Sequence, residues 1–187
     1  MEDINRLGPR RPAQPDQGLA AGKNVVLIGF MGTGKSAAGR GLARLLGRTF
    51  VDTDREVEQR AGMGIADLFA LCGERVFRDL EADVVAHLSR RTDLVIATGG
   101  GTLLRAESAA ALRQGVVVAL VASPEVILAR TRRRPRPLLS GADPLARIKQ
   151  LLSEREGLYD TADIRVDTSA LSPAEVAEAI RRRLVGR

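Results

Sequence analysis

Short apolar runs alternate with stretches of helical spacing along most of this chain, a pattern that predicts an α/β fold. Runs of consecutive apolar residues are typical of strands that are covered on both faces of a sheet. Such runs predict strands at residues 24–28, 94–97 and 116–121. Two shorter strands are predicted at residues 49–51 and 164–167. Apolar residues three or four positions apart predict helices between them, as in the stripe formed by Phe77, Leu80, Val84 and Leu88. The pattern therefore favours one domain built from alternating strands and helices.

Glycine and proline mark several helix ends. A helix that begins at Lys35 is expected to end near Leu46, because Gly47 follows and glycine readily terminates helices. Pro124 is expected to occupy the first turn of another helix. Further helices are predicted over residues 106–114, up to Tyr159 and over residues 173–184.

The stretch after the first predicted strand, residues 29–36, reads Gly-Phe-Met-Gly-Thr-Gly-Lys-Ser and matches a phosphate-binding loop. Its glycines let the backbone curl so that successive N–H groups converge on a polyphosphate. Lys35 is then expected to reach the β- and γ-phosphates, and the Ser36 hydroxyl to ligate Mg²⁺. The alternative is a glycine-rich turn that matches by chance. The strand and the helix predicted on either side favour the phosphate-binding loop.

Composition limits the class of protein. With 187 residues, of which 44% are hydrophobic and 28% charged, the chain is long enough for one core and short for two domains. No run approaches the roughly 18 to 20 apolar residues that cross a bilayer, and the N-terminus lacks the apolar core of a secretory signal. The single cysteine, Cys72, excludes an internal disulfide and is expected to be a small buried hydrophobe. We therefore expect a cytoplasmic protein without a membrane partner.

The net charge of +6 suits an anionic ligand, although it would equally suit nucleic acid. Only 3% of the residues are aromatic, which argues against a protein that stacks bases on aromatic side chains. Residues 1–22 hold prolines and glycines among charged and polar residues and are predicted to be a disordered extension. The domain is then residues 23–187, expected to be a monomer that does not bind nucleic acid.

Two carboxylates, Asp52 and Asp54, follow the second predicted strand. Open α/β sheets bind ligands at the carboxyl ends of their strands, so one could serve a metal and the other a substrate. Many P-loop enzymes hold the Mg²⁺ shell with an acidic residue at a strand end, and the third strand here ends in Thr98-Gly-Gly-Gly without one. Asp52 is therefore the candidate for the metal and Asp54 for a substrate hydroxyl. A polar turn or a helix cap at either residue is the alternative.

Three further features could carry chemistry. Arg78 lies beside an apolar helical stripe, where it could also form an ordinary salt bridge with Glu74 or Glu81. Glycines 99–101 have no side chains that could pack at the ligand end of the sheet, which favours a small molecule lying against the backbone there. The arginine- and proline-rich stretch 130–141 is predicted to be an exposed loop. It is either a solvated surface or a mobile lid that brings arginine to phosphates.

In order and spacing, these motifs resemble those of the shikimate kinases, over about residues 23–185. The motifs are the loop at 29–36, Asp-Thr-Asp at 52–54, Gly-Glu-x-x-Phe-Arg-x-x-Glu at 73–81, the glycine turn Thr-Gly-Gly-Gly at 98–101, Arg-Pro-Leu-Leu from Arg136 and Arg-x-x-x-Tyr from Arg155. The resemblance implies a P-loop kinase fold with a mobile lid and a five-stranded parallel sheet of order 2-3-1-4-5 flanked by helices. The implied reaction transfers the γ-phosphoryl group of ATP to the 3-hydroxyl of shikimate, giving 3-phosphoshikimate for chorismate and aromatic amino-acid synthesis.

Matching positions carry the family's site residues onto this chain. ATP would be bound by Gly32, Thr33, Gly34, Lys35, Ser36 and Ala37, and by the lid arginine Arg136. One Mg²⁺ would be held by Ser36 and Asp52, and the catalytic residues would be Lys35, Asp54 and Arg136. Shikimate would be bound by Asp54, Arg78, Gly100 and Arg155, with both arginines on its carboxylate.

Two positions depart from the family pattern. Ala37 stands where the family usually has Ser or Thr, which removes a hydroxyl from the phosphate shell. Leu171 lies in the loop on the adenine side, where some members carry a polar or basic residue.

Two other classes of phosphate-binding protein share part of the pattern. A gluconate-type or nucleoside monophosphate kinase would have the loop and the sheet, but it would not require the Asp-Thr-Asp, triple-glycine and Arg-x-x-x-Tyr motifs together. A GTP switch would need an Asn-Lys-x-Asp run. The only asparagines are Asn5 and Asn24, so that class is excluded.

Overall fold

The structure, a computed structural model, describes residues 22–132, 137–139 and 143–185. Its strands are β1 Val25–Ile28, β2 Thr49–Asp52, β3 Leu94–Ala97, β4 Val116–Val121 and β5 Ile164–Asp167. Its α-helices are α1 Lys35–Leu46, α2 Thr53–Ala61, α3 Ile65–Ser89, α4 Ala106–Leu112, α5 Pro124–Thr131, α6 Pro144–Tyr159 and α7 Pro173–Val185. Two short 3₁₀ helices are Thr102–Leu104 and Pro137–Leu139.

The strands form one parallel sheet in the order β2-β3-β1-β4-β5, which confirms the predicted order. β1 lies at the centre, with Val26 opposite Ile96 of β3 and Val117 of β4. The register of β2 places Asp52 opposite Ala97 at the end of β3. Because these strands are parallel and end together, the chain segments that follow β1, β2 and β3 leave the sheet at the same edge.

Helices cover both faces of the sheet. Val25 and Leu27 of β1 pack in a core cluster with residues of α1 and α7. Val26 and Ile28 pack on the opposite face, in a cluster that includes residues of α3. Successive side chains of a strand point to opposite faces, so a strand buried on both sides requires the continuous apolar run that the sequence shows.

The helices follow their sequence signals closely. α1 has its predicted bounds, and Gly47 adopts a φ of 65° as its C-cap. α3 is interrupted by Gly73, whose φ of 81° and ψ of 168° are not helical. Beyond that kink, Phe77, Val84 and Leu88 are buried, as the apolar stripe predicted, whereas Leu80 is only partly buried.

Two sequence predictions are wrong, apart from element ends that differ by one or two residues, as at α4. Cys72 is exposed rather than buried, and it lies in a run, residues 69–76, that is exposed around the kink in α3. The basic stretch that begins at Arg130 does not start as a loop, since α5 continues to Thr131.

Several predictions lie outside the described residues. These are the extension 1–21, Arg136 and most of the proposed lid. Within the described ranges, no helix combines the length and the apolar character that crossing a bilayer would require.

Candidate active site

The loop between β1 and α1 carries the phosphate-binding sequence. Gly29, Gly32 and Gly34 have φ values of 139°, 79° and 94°, which residues with a Cβ rarely adopt. A Cβ on Gly29 would also clash with the carbonyl oxygen of Leu120. The path of this loop therefore requires glycine at those positions, and it leads the chain directly into the N-terminus of α1.

Lys35 is the first residue of α1, and its side chain folds back over the loop. Its Nζ donates hydrogen bonds to the carbonyl oxygens of Gly29 at 2.7 Å and Phe30 at 3.0 Å. The residue is only 9% exposed. Because a buried ammonium group is costly without acceptors, these carbonyls hold the positive charge beside the loop.

Ser36 and Asp52 are in direct contact across the end of the sheet. The Ser36 Oγ donates to the Asp52 Oδ2 at 2.6 Å. The Asp52 Oδ1 accepts from the backbone N–H of Asp54 at 3.2 Å, so Asp52 also caps α2. The helix-cap interpretation of Asp52 is thus confirmed, and the same carboxylate lies beside the P-loop serine.

A cavity of about 470 Å³ extends from this loop along the carboxyl edge of the sheet. The predicted site residues that line it are Gly32, Thr33, Gly34, Lys35, Ser36, Ala37, Asp52, Asp54 and Gly100. Arg130, Leu171 and Pro173 also line it. A smaller cavity of about 210 Å³ lies at the opposite edge, beside Asn24 and Gly115, away from these residues.

A polar link that the sequence did not reveal joins the loop to the end of β5. Thr168, which is 1% exposed, donates from Oγ1 to the carbonyl oxygens of Thr33 and Val121, both at 3.1 Å. Arg130 donates to the Thr168 Oγ1 at 3.0 Å and to its carbonyl oxygen at 2.7 Å. The link therefore fixes the β5–α7 loop against the phosphate-binding loop.

The glycine turn after β3 meets side chains of α2 and α3. The Gly99 N–H donates to the Thr53 Oγ1 at 2.9 Å. A Cβ at Gly99 would lie 2.6 Å from the Asp54 Oδ1 and 2.9 Å from the Glu81 Oε1. The absence of a side chain at position 99 is therefore what allows these two carboxylates to approach the turn.

Glu81 is a buried carboxylate at 4% exposure. Its Oε1 accepts from the Thr102 Oγ1 at 2.6 Å and its Oε2 from the Arg78 Nη1 at 2.8 Å. A buried charge needs such partners, since an unpaired carboxylate in the interior is strongly destabilising. Glu81 and Thr102 thus connect the turn to Arg78.

Arg78 forms the helix salt bridges that its spacing allowed. It pairs with Glu74 at 3.2 Å and with Glu81 at 2.8 Å, and its side chain remains 27% exposed. A Cβ on Gly101 would lie 2.9 Å from both terminal guanidinium nitrogens. The guanidinium therefore lies against the glycine turn while it keeps both ion pairs.

Arg155 reaches the same turn from α6. Its Nη1 donates to the Gly100 carbonyl oxygen at 3.0 Å, and the residue is 8% exposed. The hydroxyl of Tyr159, one helical turn on, is buried and makes no hydrogen bond of standard geometry within the described ranges. Burial raises the pKa of Tyr159, and the neighbouring Arg155 charge partly opposes that rise. Arg155 at Gly100 and Arg78 at Gly101 therefore lie at adjacent glycines, although the two arginines belong to different helices.

This arrangement combines a phosphate-binding loop with two arginines that meet a glycine turn at the same edge of the sheet. A family model described as shikimate kinase matches residues 31–185. The chain belongs to the shikimate kinase family. This kinase is 49% identical over 160 residues to the shikimate kinase of Pelotomaculum thermopropionicum, an alignment that covers 84% of this chain and 93% of the relative. It is 48% identical over 166 residues to that of Symbiobacterium thermophilum, covering 86% and 95%.

Solved structures agree with the kinase assignment. The shikimate kinase of Acinetobacter baumannii, solved in complex with shikimate, matches with a TM-score of 0.83 at 38% identity, covering 88% of this chain and 93% of that one. A gluconokinase from Sinorhizobium meliloti matches with a TM-score of 0.54 at 19% identity, which shows a shared fold alone. The fold is thus common to kinases with different acceptors, and membership of the family rests on the sequence.

Several residues of the kinase site were not found from the sequence as site residues. Thr53, Thr102, Thr168 and Arg130 are joined to it through contacts between distant segments. Glu81 had a signal, because its spacing from Arg78 predicted the ion pair. That spacing could not reveal that the carboxylate is buried against Thr102.

Proposed function

We propose that this kinase transfers the γ-phosphoryl group of ATP to the 3-hydroxyl of shikimate with the side chains at the carboxyl edge of its sheet. The assignment of roles to these side chains rests on one observation, namely that two arginines lie at adjacent glycines. Arg155 is bonded to Gly100 and Arg78 lies against Gly101. Guanidinium groups bind carboxylates through paired hydrogen bonds, so this turn suits an acceptor that carries a carboxylate.

The nucleotide would occupy the larger cavity. Backbone N–H groups of Gly32, Gly34 and their neighbours Thr33, Lys35, Ser36 and Ala37 would surround the phosphates at the N-terminus of α1. Lys35 would exchange its two carbonyl acceptors for phosphate oxygens and stabilise the charge that develops during transfer. Arg136 remains a proposed lid arginine and lies outside the described residues.

Ser36 and Asp52 are the residues that would hold Mg²⁺. A hydroxyl and a carboxylate 2.6 Å apart provide the oxygen ligands that this ion prefers. Within the described ranges, no group of three or more His, Cys, Asp or Glu side chains could hold a metal. Mg²⁺ at phosphate-transfer sites usually takes one or two protein ligands beside phosphates and water. When bound, the ion would neutralise charge on the β- and γ-phosphates.

Asp54 would act on the acceptor. Its carboxylate approaches Gly99 of the glycine turn, and the residue lines the same cavity as the phosphate-binding loop. It would accept the proton of the 3-hydroxyl as the new oxygen–phosphorus bond forms. The bond between the γ-phosphorus and the bridging oxygen breaks at the same time, and ADP leaves.

The physiological setting is part of the same proposal. The kinase would act as a monomer in the cytoplasm, with residues 23–187 as the catalytic domain and residues 1–22 as an extension outside it. It would have no nucleic-acid or membrane partner. Sedimentation would test the monomer, and a gel-shift assay with DNA and RNA over a range of salt concentrations would test the nucleic-acid statement.

A coupled assay of ADP release across several acceptors tests the reaction directly. Shikimate, gluconate and nucleoside monophosphates are compared at equal concentrations with saturating ATP and Mg²⁺. Shikimate should give a specificity constant far above those of the other acceptors. Equal or faster turnover of gluconate or of a nucleoside monophosphate would overturn the proposal.

A further inference from the structure

We propose that Phe30 is a positioning residue for the acceptor, because its ring sets the orientation of the Arg155 guanidinium. This inference rests on the proposed role of Arg155 in binding the shikimate carboxylate. Phe30 belongs to the phosphate-binding loop, but it stands at one of the positions where that motif accepts any residue. Phosphate binding therefore does not explain why a large aromatic side chain is there.

The contact between the two side chains has the geometry of a cation–π interaction. The Arg155 Cζ lies 5.4 Å from the centroid of the Phe30 ring, inside the ~6 Å range of that interaction. Phe30 is 1% exposed and Arg155 is 8% exposed. Because both partners are shielded from water, the attraction is stronger than it would be at a surface.

The ring supplies a restraint that the hydrogen bond of Arg155 lacks. The bond from Nη1 to the Gly100 carbonyl oxygen fixes one nitrogen of the guanidinium. That bond alone does not set the plane of the guanidinium, and bidentate binding of a carboxylate requires this plane to be correct. Contact with the face of the Phe30 ring restrains that plane.

Phe30 is itself held firmly. Its side chain belongs to a buried cluster with Ile127, Leu139, Ile148 and Leu151. Its carbonyl oxygen accepts hydrogen bonds from Lys35 at 3.0 Å and from the Thr33 Oγ1 at 2.8 Å. The ring is therefore a rigid support, and a change of side chain leaves these backbone contacts available.

Phe30→Leu is the decisive substitution, since leucine fills apolar space but has no aromatic face. The KM for shikimate should rise about threefold to thirtyfold. The lower limit corresponds to the loss of a partly exposed cation–π contact and the upper limit to the loss of a desolvated one. The KM for ATP should stay within about twofold. Phe30→Met, which also lacks a ring, should raise the KM for shikimate in the same way without changing the KM for ATP. The test then does not depend on one variant that packs poorly.

Two controls separate positioning from packing. Ile127→Val loosens the same cluster but keeps the γ2 methyl that lies near Gly32, and it should not change the KM for shikimate. Phe50→Leu removes an arginine–ring contact elsewhere, although a more exposed one, because Arg40 lies 5.6 Å from the Phe50 ring centroid. It should also leave the KM for shikimate unchanged. A rise in either control equal to that of Phe30→Leu would overturn the inference.

A double-mutant cycle with Arg155→Ala tests whether Phe30 acts through Arg155. In the Arg155→Ala background, Phe30→Leu should raise the KM for shikimate no further. A full additional rise there, or a change below twofold from Phe30→Leu alone, would overturn the inference while leaving the proposed function intact. If Arg155→Ala itself leaves the KM for shikimate unchanged, the proposed role of Arg155 fails, and the positioning role falls with it.

Discussion

Asp52 makes hydrogen bonds with two different consequences, one for the fold and one for the site. Its Oδ1 accepts from the Asp54 N–H and starts α2, whereas its Oδ2 accepts from Ser36. Removal of the side chain would therefore disturb the helix and the proposed metal site together. An informative substitution must keep the cap, and asparagine does so because it is as good an N-cap as aspartate.

Asp52→Asn and Asp54→Asn should have different effects although the residues are two positions apart. Asp52→Asn should raise the Mg²⁺ concentration needed for half-maximal activity, because a neutral amide attracts the hydrated ion less. Asp54→Asn should instead lower turnover and weaken shikimate binding at saturating Mg²⁺. Titration of activity with Mg²⁺ measures both effects. Identical metal dependence in the two variants and the wild type would contradict this division of roles.

Lys35→Met should lower turnover at least about a hundredfold, the loss expected when a preorganised charge is removed from a phosphoryl-transfer site. The fold should survive, since the hydrogen bonds of Lys35 to Gly29 and Phe30 are with carbonyl oxygens of the loop itself. Steady-state kinetics and the far-ultraviolet circular dichroism of the variant provide the test. Turnover close to that of the wild type would rule out the role assigned to Lys35.

At the scale of elements, the turn after β3 has little room for side chains. Gly99→Ala would place a Cβ within 2.9 Å of both the Asp54 and the Glu81 carboxylate oxygens, so these side chains must move. The specificity constant for shikimate should fall about tenfold to a hundredfold, because small displacements of reacting groups are costly.

Gly157→Ala in α6 is the matched control for Gly99→Ala. Its Cβ would meet nothing within 4 Å, and alanine is the better helix former. This control should keep wild-type kinetics with a slightly higher melting temperature. A fall in its specificity constant as large as that of Gly99→Ala would show that the glycine turn has no special role.

The segment from Arg130 to Gly141 is predicted to close over the nucleotide. Of its described residues, Leu139 is buried in the cluster that contains Phe30, and Leu138 is 49% exposed. Amide hydrogen exchange across the segment should slow when an ATP analogue and shikimate are added together. Exchange in β1 should not change and is the internal reference. Equal rates with and without ligands would favour a plain surface loop.

The bounds of the helices and strands were more predictable from the sequence than the burial of individual side chains. The apolar runs gave β3 and β4 with their observed bounds, because strands buried on both faces leave a continuous signal. The short strand β5 also has its predicted bounds, although its residues alternate between buried and exposed. The end of α1 was equally predictable, because Gly47 follows its last residue. Cys72 could not be placed from its residue type, since the kink at Gly73 turns its neighbourhood towards solvent.

At the scale of the whole molecule, the parts of the site that were predictable are those held within a local motif. The loop from Gly29 to Ser36 is defined by a contiguous pattern. The bond between Thr168 and Thr33 joins residues 135 positions apart, and the bond between Arg130 and Thr168 spans 38. No periodicity reports such contacts, so they became visible only in the folded chain.

The final prediction concerns how the folded chain selects its acceptor. Arg78 and Arg155 come from α3 and α6, and only the tertiary structure brings them to adjacent glycines. Loss of one partner from a buried charge pair costs on the order of 2 to 5 kcal/mol. Arg78→Ala or Arg155→Ala should therefore reduce the specificity constant for shikimate by more than about tenfold. Arg155→Lys should weaken shikimate far more than ATP, because lysine cannot make the paired contact.

An analogue of shikimate with a hydroxymethyl group in place of the carboxylate tests the same contact from the side of the ligand. It should be a poor acceptor for the wild type, because the two guanidinium groups then have no anion to bind. It should lose little further activity with the arginine variants, since the interaction that they remove is already missing. The coupled ADP-release assay measures all of these combinations. If the wild type phosphorylates the analogue as well as shikimate, the two arginines do not select the carboxylate, and acceptor choice must reside elsewhere in the site.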